Sequence, residues 1–133
     1  MGITIEQLLK NKEIIKEKTG EKTATLKIKS FKELFDEEEI TIKSLEPSRI
    51  QELAMQAGSN EYKTNVLVIY NAVTSPNLKD KGLQEGYDCK TNPLGIVDKL
   101  FTPIEVKMIS DEVAILSRFN TRSPKEIVLE IKK

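Results

Sequence analysis

The sequence has no histidine, no tryptophan and a single cysteine, Cys89, in 133 residues. Without histidine the chain lacks the commonest general base and the commonest metal ligand. One cysteine excludes an internal disulfide and a cysteine-clustered zinc site, and a lone free thiol fits a reducing cytoplasm. Cys89 stands in Tyr87-Asp88-Cys89-Lys90 with a cation beside it but no histidine to activate it, so a packing role is expected. The six glycines are scattered and form no phosphate-cradling loop. No serine sits in a Gly-x-Ser-x-Gly elbow. With four Phe and three Tyr, a stacking surface for single-stranded nucleic acid is disfavoured.

An excess of either charge is also missing. Lys plus Arg number 21, as do Asp plus Glu. Residues 1–60 carry 10 basic and 11 acidic side chains, and residues 61–133 carry 11 and 10. No basic face is implied, which disfavours binding through phosphates. The longest apolar run, Val66–Tyr70, is far short of a membrane span. Met1–Glu6 shows no basic region leading into an apolar core, so no signal peptide is expected. These features predict a soluble intracellular protein. Its length is that of one ordinary domain, able to bury roughly two-thirds of its unfolded surface without a metal or disulfide.

What the sequence does have is one charge-free stretch, Asn65–Pro76, which must be buried. Val66–Ile69 is rich in β-branched residues and would suit a buried strand. The apolar pattern, however, runs from Tyr62 through Val73, too long for a typical strand, and places Val66, Ile69, Tyr70 and Val73 on one helical face. A central helix is therefore expected, ending near Thr74 because Pro76 disfavours helical geometry at Ser75.

Around it the pattern is legible in order. Residues 4–18 read as an amphipathic helix, with Ile5, Leu8, Leu9 and Ile15 at helical spacing. Thr4 and Gln7 suit a capping box, and Gly20 suits a left-handed C-terminal position. Residues 23–31 and 39–45 alternate as strands and are expected to pair as an antiparallel hairpin. The connection near Phe31–Glu38 carries the acidic run Asp36-Glu37-Glu38-Glu39. It lacks the alternating ligands and turn glycine of a calcium loop and reads as a solvated hairpin end. Pro47 and Ser48 open a helix with Ile50, Leu53, Ala54 and Ala57 inward, stopped by Gly58-Ser59-Asn60. Short helices follow at Leu78–Gly86 and from Asn92-Pro93, where Asn caps and Pro fills the first turn. The last long helix starts at Thr102-Pro103, with Ile104, Met108, Ile109, Val113, Leu116 and Phe119 as its apolar stripe and Glu105, Lys107, Asp111 and Glu112 on its other, solvated faces. Ile127–Ile131 reads as a terminal strand or a short helix. The fold class is α+β, a mostly helical single domain with an N-terminal antiparallel β-hairpin.

No catalytic, cofactor-binding or metal-ligating residue is expected, and a partner surface cannot be assigned from periodicity. Asp111-Glu112 and similar acid pairs read as solvated charge. The residues do carry a family resemblance. It begins at Leu26-Lys27-Ile28-Lys29 and continues through Ile40-Thr41-Ile42-Lys43-Ser44-Leu45-Glu46-Pro47. It then runs through Val73-Thr74-Ser75-Pro76-Asn77-Leu78-Lys79-Asp80, Leu83-Gln84-Glu85-Gly86-Tyr87 and Asn92–Glu105, with a leading helix at Glu6-Gln7-Leu8-Leu9. In that order these motifs resemble the XkdN-like tail assembly chaperones of phages and phage-like elements. Ile104 stands where the family has Gly before Glu, and Ser117-Arg118-Phe119 replaces its Ser-Gly-Phe.

The resemblance implies a non-enzymatic chaperone domain over residues 1–120, with 121–133 a C-terminal extension expected to be flexible. It implies binding to the tape measure protein, recruitment of major tail protein during tail morphogenesis, action in the host cytoplasm and absence from the mature virion. Self-association is a further expectation, and no nucleic-acid or membrane partner is expected. In this family a longer product often arises by frameshifting, which here would diverge beyond Asn120. Two readings of other classes stand beside it. A small regulatory or DNA-binding adaptor of a mobile element would need cations concentrated on a recognition helix, where the last helix offers Lys107 and Arg118 at opposite ends. An enzyme would have to work without histidine.

Overall fold

Alternating side chains at Thr23–Lys27 (β1) and Glu39–Lys43 (β2) form an antiparallel pair in the computed structural model, which describes residues 2–119. The register sets Ala24 opposite Ile42 and Leu26 opposite Ile40. All four are buried, so one face of the ladder is apolar and its cross-strand pairs seal it. A third strand, Val73–Ser75 (β3), adds to β2 on the other side, giving the order β1-β2-β3 with a register irregularity at Thr41/Ile42.

Eight helices complete the described residues: α1 (Ile5–Lys10), α2 (Lys12–Thr19), α3 (Lys29–Phe35), α4 (Pro47–Gln56), α5 (Glu61–Ala72), α6 (Lys81–Gly86), α7 (Gly95–Leu100) and α8 (Pro103–Phe119). The fold is α+β, mostly helical with its hairpin near the N-terminus, as the sequence predicts. α5 is the hub: it packs on α8, α4 and α7, while α8 also covers β1 and β2. Val66, Leu67, Val68 and Ile69 are all buried, so α5 is covered on every side over one turn rather than along a single stripe. Asn60 caps its start, accepting from the Lys63 amide at 2.9 Å.

Buried polar groups on α8 join it to its neighbours. Ser117 Oγ accepts from the Leu45 amide at 2.9 Å and donates to the Val113 carbonyl at 2.6 Å. Ser110 Oγ donates to Asn65 Oδ1 on α5 at 2.9 Å. Each therefore meets the requirement that a buried hydroxyl be paired.

Several sequence expectations need correction. The single N-terminal helix is two, interrupted at Asn11, whose backbone (φ −113°, ψ 28°) leaves the helical region. The Thr4–Gln7 capping box is present. Gly20 is extended rather than left-handed; it is needed because a Cβ there would meet the Lys16 carbonyl oxygen at 2.8 Å. The hairpin connection is not a loop but α3, closed by Asp36 in the left-handed region at φ 58°. The central helix ends at Ala72, and Val73 enters β3, a strand the sequence reading missed.

Nearer the C-terminus, Leu94 rather than Asn92 precedes the first turn of α7. Residues 78–80 precede α6, where Asp80 accepts from the Leu83 amide as N-cap. On α8, Ile104 is exposed and Glu105 is buried, the reverse of the expectation. Cys89 is buried, in keeping with a packing role. The side chain of Phe119, the Ile127–Ile131 segment and the 121–133 extension lie outside the described residues. No helix among those described is long and apolar enough to cross a membrane.

Candidate partner-binding surface

Ile5, Leu8 and Leu9 stand at i, i+3 and i+4 on α1, the spacing of an apolar helix face. In a domain with a single core such a face is ordinarily turned inward. Here it meets solvent: Ile5 is 77% exposed, Leu9 61% and Leu8 47%. Ile3 before the helix and Ile14 on α2 are exposed as well, and no residue of α1 is buried. α1 packs against α2, and neither makes an extensive contact with the sheet or with α5. The helix is nevertheless formed deliberately. Thr4 Oγ1 accepts from the Gln7 amide at 3.1 Å, and Gln7 Oε1 accepts from the Thr4 amide at 3.0 Å. This reciprocal cap stabilises a short helix that the core does little to support.

A second exposed apolar group lies on α3. Leu34 and Phe35 face solvent, and Phe35 stacks obliquely on Phe31, which in turn contacts Phe101 in the core. The acidic run follows directly, with Glu38 paired to Lys32 at 3.7 Å. Scattered exposed apolar residues are normal, but a helix whose whole apolar face is open is a candidate interaction surface.

Several polar groupings among the described residues serve structural contacts. Glu105 is buried, accepting from Ser30 Oγ at 2.6 Å and from the Thr102 amide at 2.8 Å, with its own amide donating to Thr102 Oγ1 at 3.2 Å. This is a second capping box, at the start of α8, and the carboxylate is committed to it. Tyr62 on α5 donates to Asp98 on α7. That hydrogen bond, reinforced by partial burial and by the carboxylate's charge, pushes the Tyr62 phenol up to about 12. Lys107 and Asp111 pair one turn apart on α8 at 2.9 Å, which raises the Lys107 ammonium above its ordinary value.

A cavity of about 640 Å³ opens where the ends of β2 and α8 meet the start of α4, lined by Glu21, Lys43, Glu46, Arg49, Ser117 and Arg118 among others. Its charges are of both signs, and Lys43 already pairs with Glu21 at 3.7 Å. No group of acidic or cysteine side chains suited to a metal ion occurs among the described residues.

The sequence reading assigned no site residues, and it missed the open face of α1. The signal for the helix was present. Whether its apolar face is covered by the same chain or by another is not encoded in periodicity. The chain matches no protein-family model, no curated protein and no solved structure.

Proposed function

We propose that this chain is a non-enzymatic assembly chaperone of a phage, prophage or tail-like element. It binds the tape measure protein, a long helical chain, and helps recruit major tail protein during tail morphogenesis. The observation that carries the reading is the open apolar face of α1, held in helical form by its capping box yet left outside the core. A helix of this kind, presented by a rigid α+β body, pairs with another amphipathic helix through i, i+3 and i+4 anchors. The motif order from Leu26 to Glu105 supports the family assignment. Release after assembly requires an interface without covalent or metal chemistry, and a few exposed aliphatic side chains suit that. The protein acts in the host cytoplasm and leaves before the virion is complete.

Co-expression with the tape measure protein of the same element tests the reading. Raised solubility of that protein and a shared elution peak are expected. Unchanged solubility together with an unchanged elution position of this chain overturns it.

A further inference from the structure

β1 is an edge of the sheet: among the described residues it pairs with β2 and with no other strand. The Lys22 carbonyl accepts from the Ser44 amide, and the Ile28 amide donates to the Glu38 carbonyl. The even-numbered residues along β1 therefore turn their backbone groups to β2, and Thr23 and Thr25 point theirs outward. Neither Thr23 nor Thr25 has a backbone partner there among the described residues. Such an edge is a template for a further strand.

The side of α8 above that edge carries apolar surface without full cover. α8 lies over β2 and β1, with α5 on its other flank. Ser110 faces α5 through Asn65, and Glu105 faces Ser30, just past the end of β1. Ile104, Met108 and Ile115 lie further round, at i, i+4 and i+11, on the side away from α5. Ile104 is 55% exposed, and Met108 and Ile115 are half-buried. A strand added to β1 with aliphatic side chains facing α8 would cover this stripe.

The chain beyond α8 has the right pattern and starts in the right place. Ser117 holds the Leu45 amide, and Arg118 shares a cavity wall with Gly20 and Glu21, so α8 ends beside the start of β1. Residues 120–126 can span up to about 23–25 Å, ample to turn the chain back along the five residues of β1. α8 runs from the Ser30 end of the sheet to the Glu21 end, so a strand returning from it is parallel to β1. In Ile127-Val128-Leu129-Glu130-Ile131 the residues Ile127, Leu129 and Ile131 share one face at strand spacing. Glu130 falls on the other face, the polar one that carries Thr23, Thr25 and Lys27. A tethered segment also reaches the edge at a far higher effective concentration than a free strand does.

We propose that Ile127–Ile131 adds to β1 as a fourth, parallel strand, with Ile127, Leu129 and Ile131 against Ile104, Met108 and Ile115, and so closes the edge to strands of other chains. The inference rests on the sheet edge and stands whether or not the partner named above is correct.

The test is amide hydrogen exchange of the full chain, read by NMR at Thr25. The account expects the Thr25 amide to be protected on the order of a hundredfold over the random-coil rate, independently of protein concentration. In the variant Ile127→Ser, Leu129→Ser, Ile131→Ser that protection should be lost, while the Leu26 amide, bonded to β2, keeps its own. Methyl cross-relaxation between Leu129 and Ile115 in the parent chain reads the contact itself, which keeps the test decisive should the variant misfold. Random-coil exchange at Thr25 in the parent chain overturns the proposal, as does the absence of that methyl contact. Protection that survives in the folded variant, or that grows with protein concentration, also overturns it, assigning the edge to another segment or to a second copy.

Discussion

Ser30 Oγ donates a 2.6 Å hydrogen bond to Glu105 Oε2, joining the first turn of α3 to the first turn of α8 across 75 residues of chain. Glu105 is 1% exposed, and its other oxygen accepts from the Thr102 amide. A carboxylate this deeply placed is tolerated because donors meet both of its oxygens, and removing either side leaves the remainder unpaired in the core. Glu105→Ala should cost about 2–3 kcal/mol and Ser30→Ala about 1–2 kcal/mol, read from urea denaturation with unchanged m-value. The double variant should cost less than the sum of the two, because they share one interaction.

Ile69 sits at the centre of α5 and has no exposed surface. Ile69→Ala should lose about 2–5 kcal/mol through the cavity it leaves. Ile69→Lys should abolish the cooperative thermal transition, since no anionic partner lies within the apolar cluster around it. Circular dichroism measures both. An Ile69→Lys chain that melts normally and loses only partner binding would make α5 an interface rather than the core.

Tyr62 and Asp98 tie α5 to α7, and their hydrogen bond favours the protonated phenol. The folded chain therefore holds that proton more tightly than the unfolded chain, with the phenol at about 12 instead of 10.0. The resulting stability is present in full below the unfolded value and is lost as pH rises through the folded one. Tyr62→Phe should show a shallower decline in stability across that window. In an ultraviolet titration the Tyr62 phenol should ionise late, and that late step should vanish in the variant.

Two glycines make opposite predictions. A Cβ at Gly20 would stand 2.8 Å from the Lys16 carbonyl oxygen, a backbone atom that cannot move aside cheaply. Gly20→Ala should therefore destabilise by about 1–2 kcal/mol. At Gly86, the last residue of α6, a Cβ meets nothing within 4 Å. Gly86→Ala should stabilise by about 0.4–1 kcal/mol by restricting the unfolded chain. Thermal denaturation of the two variants beside the parent chain gives both signs.

The parts of this fold that sequence makes legible are those where one period persists. The Ala24–Ile28 and Ile40–Ile42 alternations identify the hairpin, and the length of the Tyr62–Val73 pattern identifies α5 despite its β-branched residues. Short elements escape. β3 has three residues, fewer than two periods of alternation, and continues directly from a helix. α3 hides inside a hairpin connection because its seven residues share their apolar positions with the strand before them. The break at Asn11 needs no proline or glycine and leaves the amphipathic pattern intact on both sides.

The surface groupings depend still more on the fold. The sheet edge and the outer stripe of α8 bring residues 23–27 beside residues 104–115, which no sequence spacing places together. Glu105 reads as one more solvated acid until Ser30 is found beside it. The exposure of Ile5, Leu8 and Leu9 is a statement about what does not pack on them, which amphipathic spacing cannot express.

The central claim is that the open face of α1 grips a helical partner. The most direct measurement is co-purification of the tape measure protein with the parent chain and with the variant Ile5→Ser, Leu8→Ser, Leu9→Ser. These side chains lie outside the core, so the variant should melt within a few degrees of the parent. The account predicts a soluble complex with the parent chain and its loss with the variant. A folded variant that recovers the same amount of complex would contradict it.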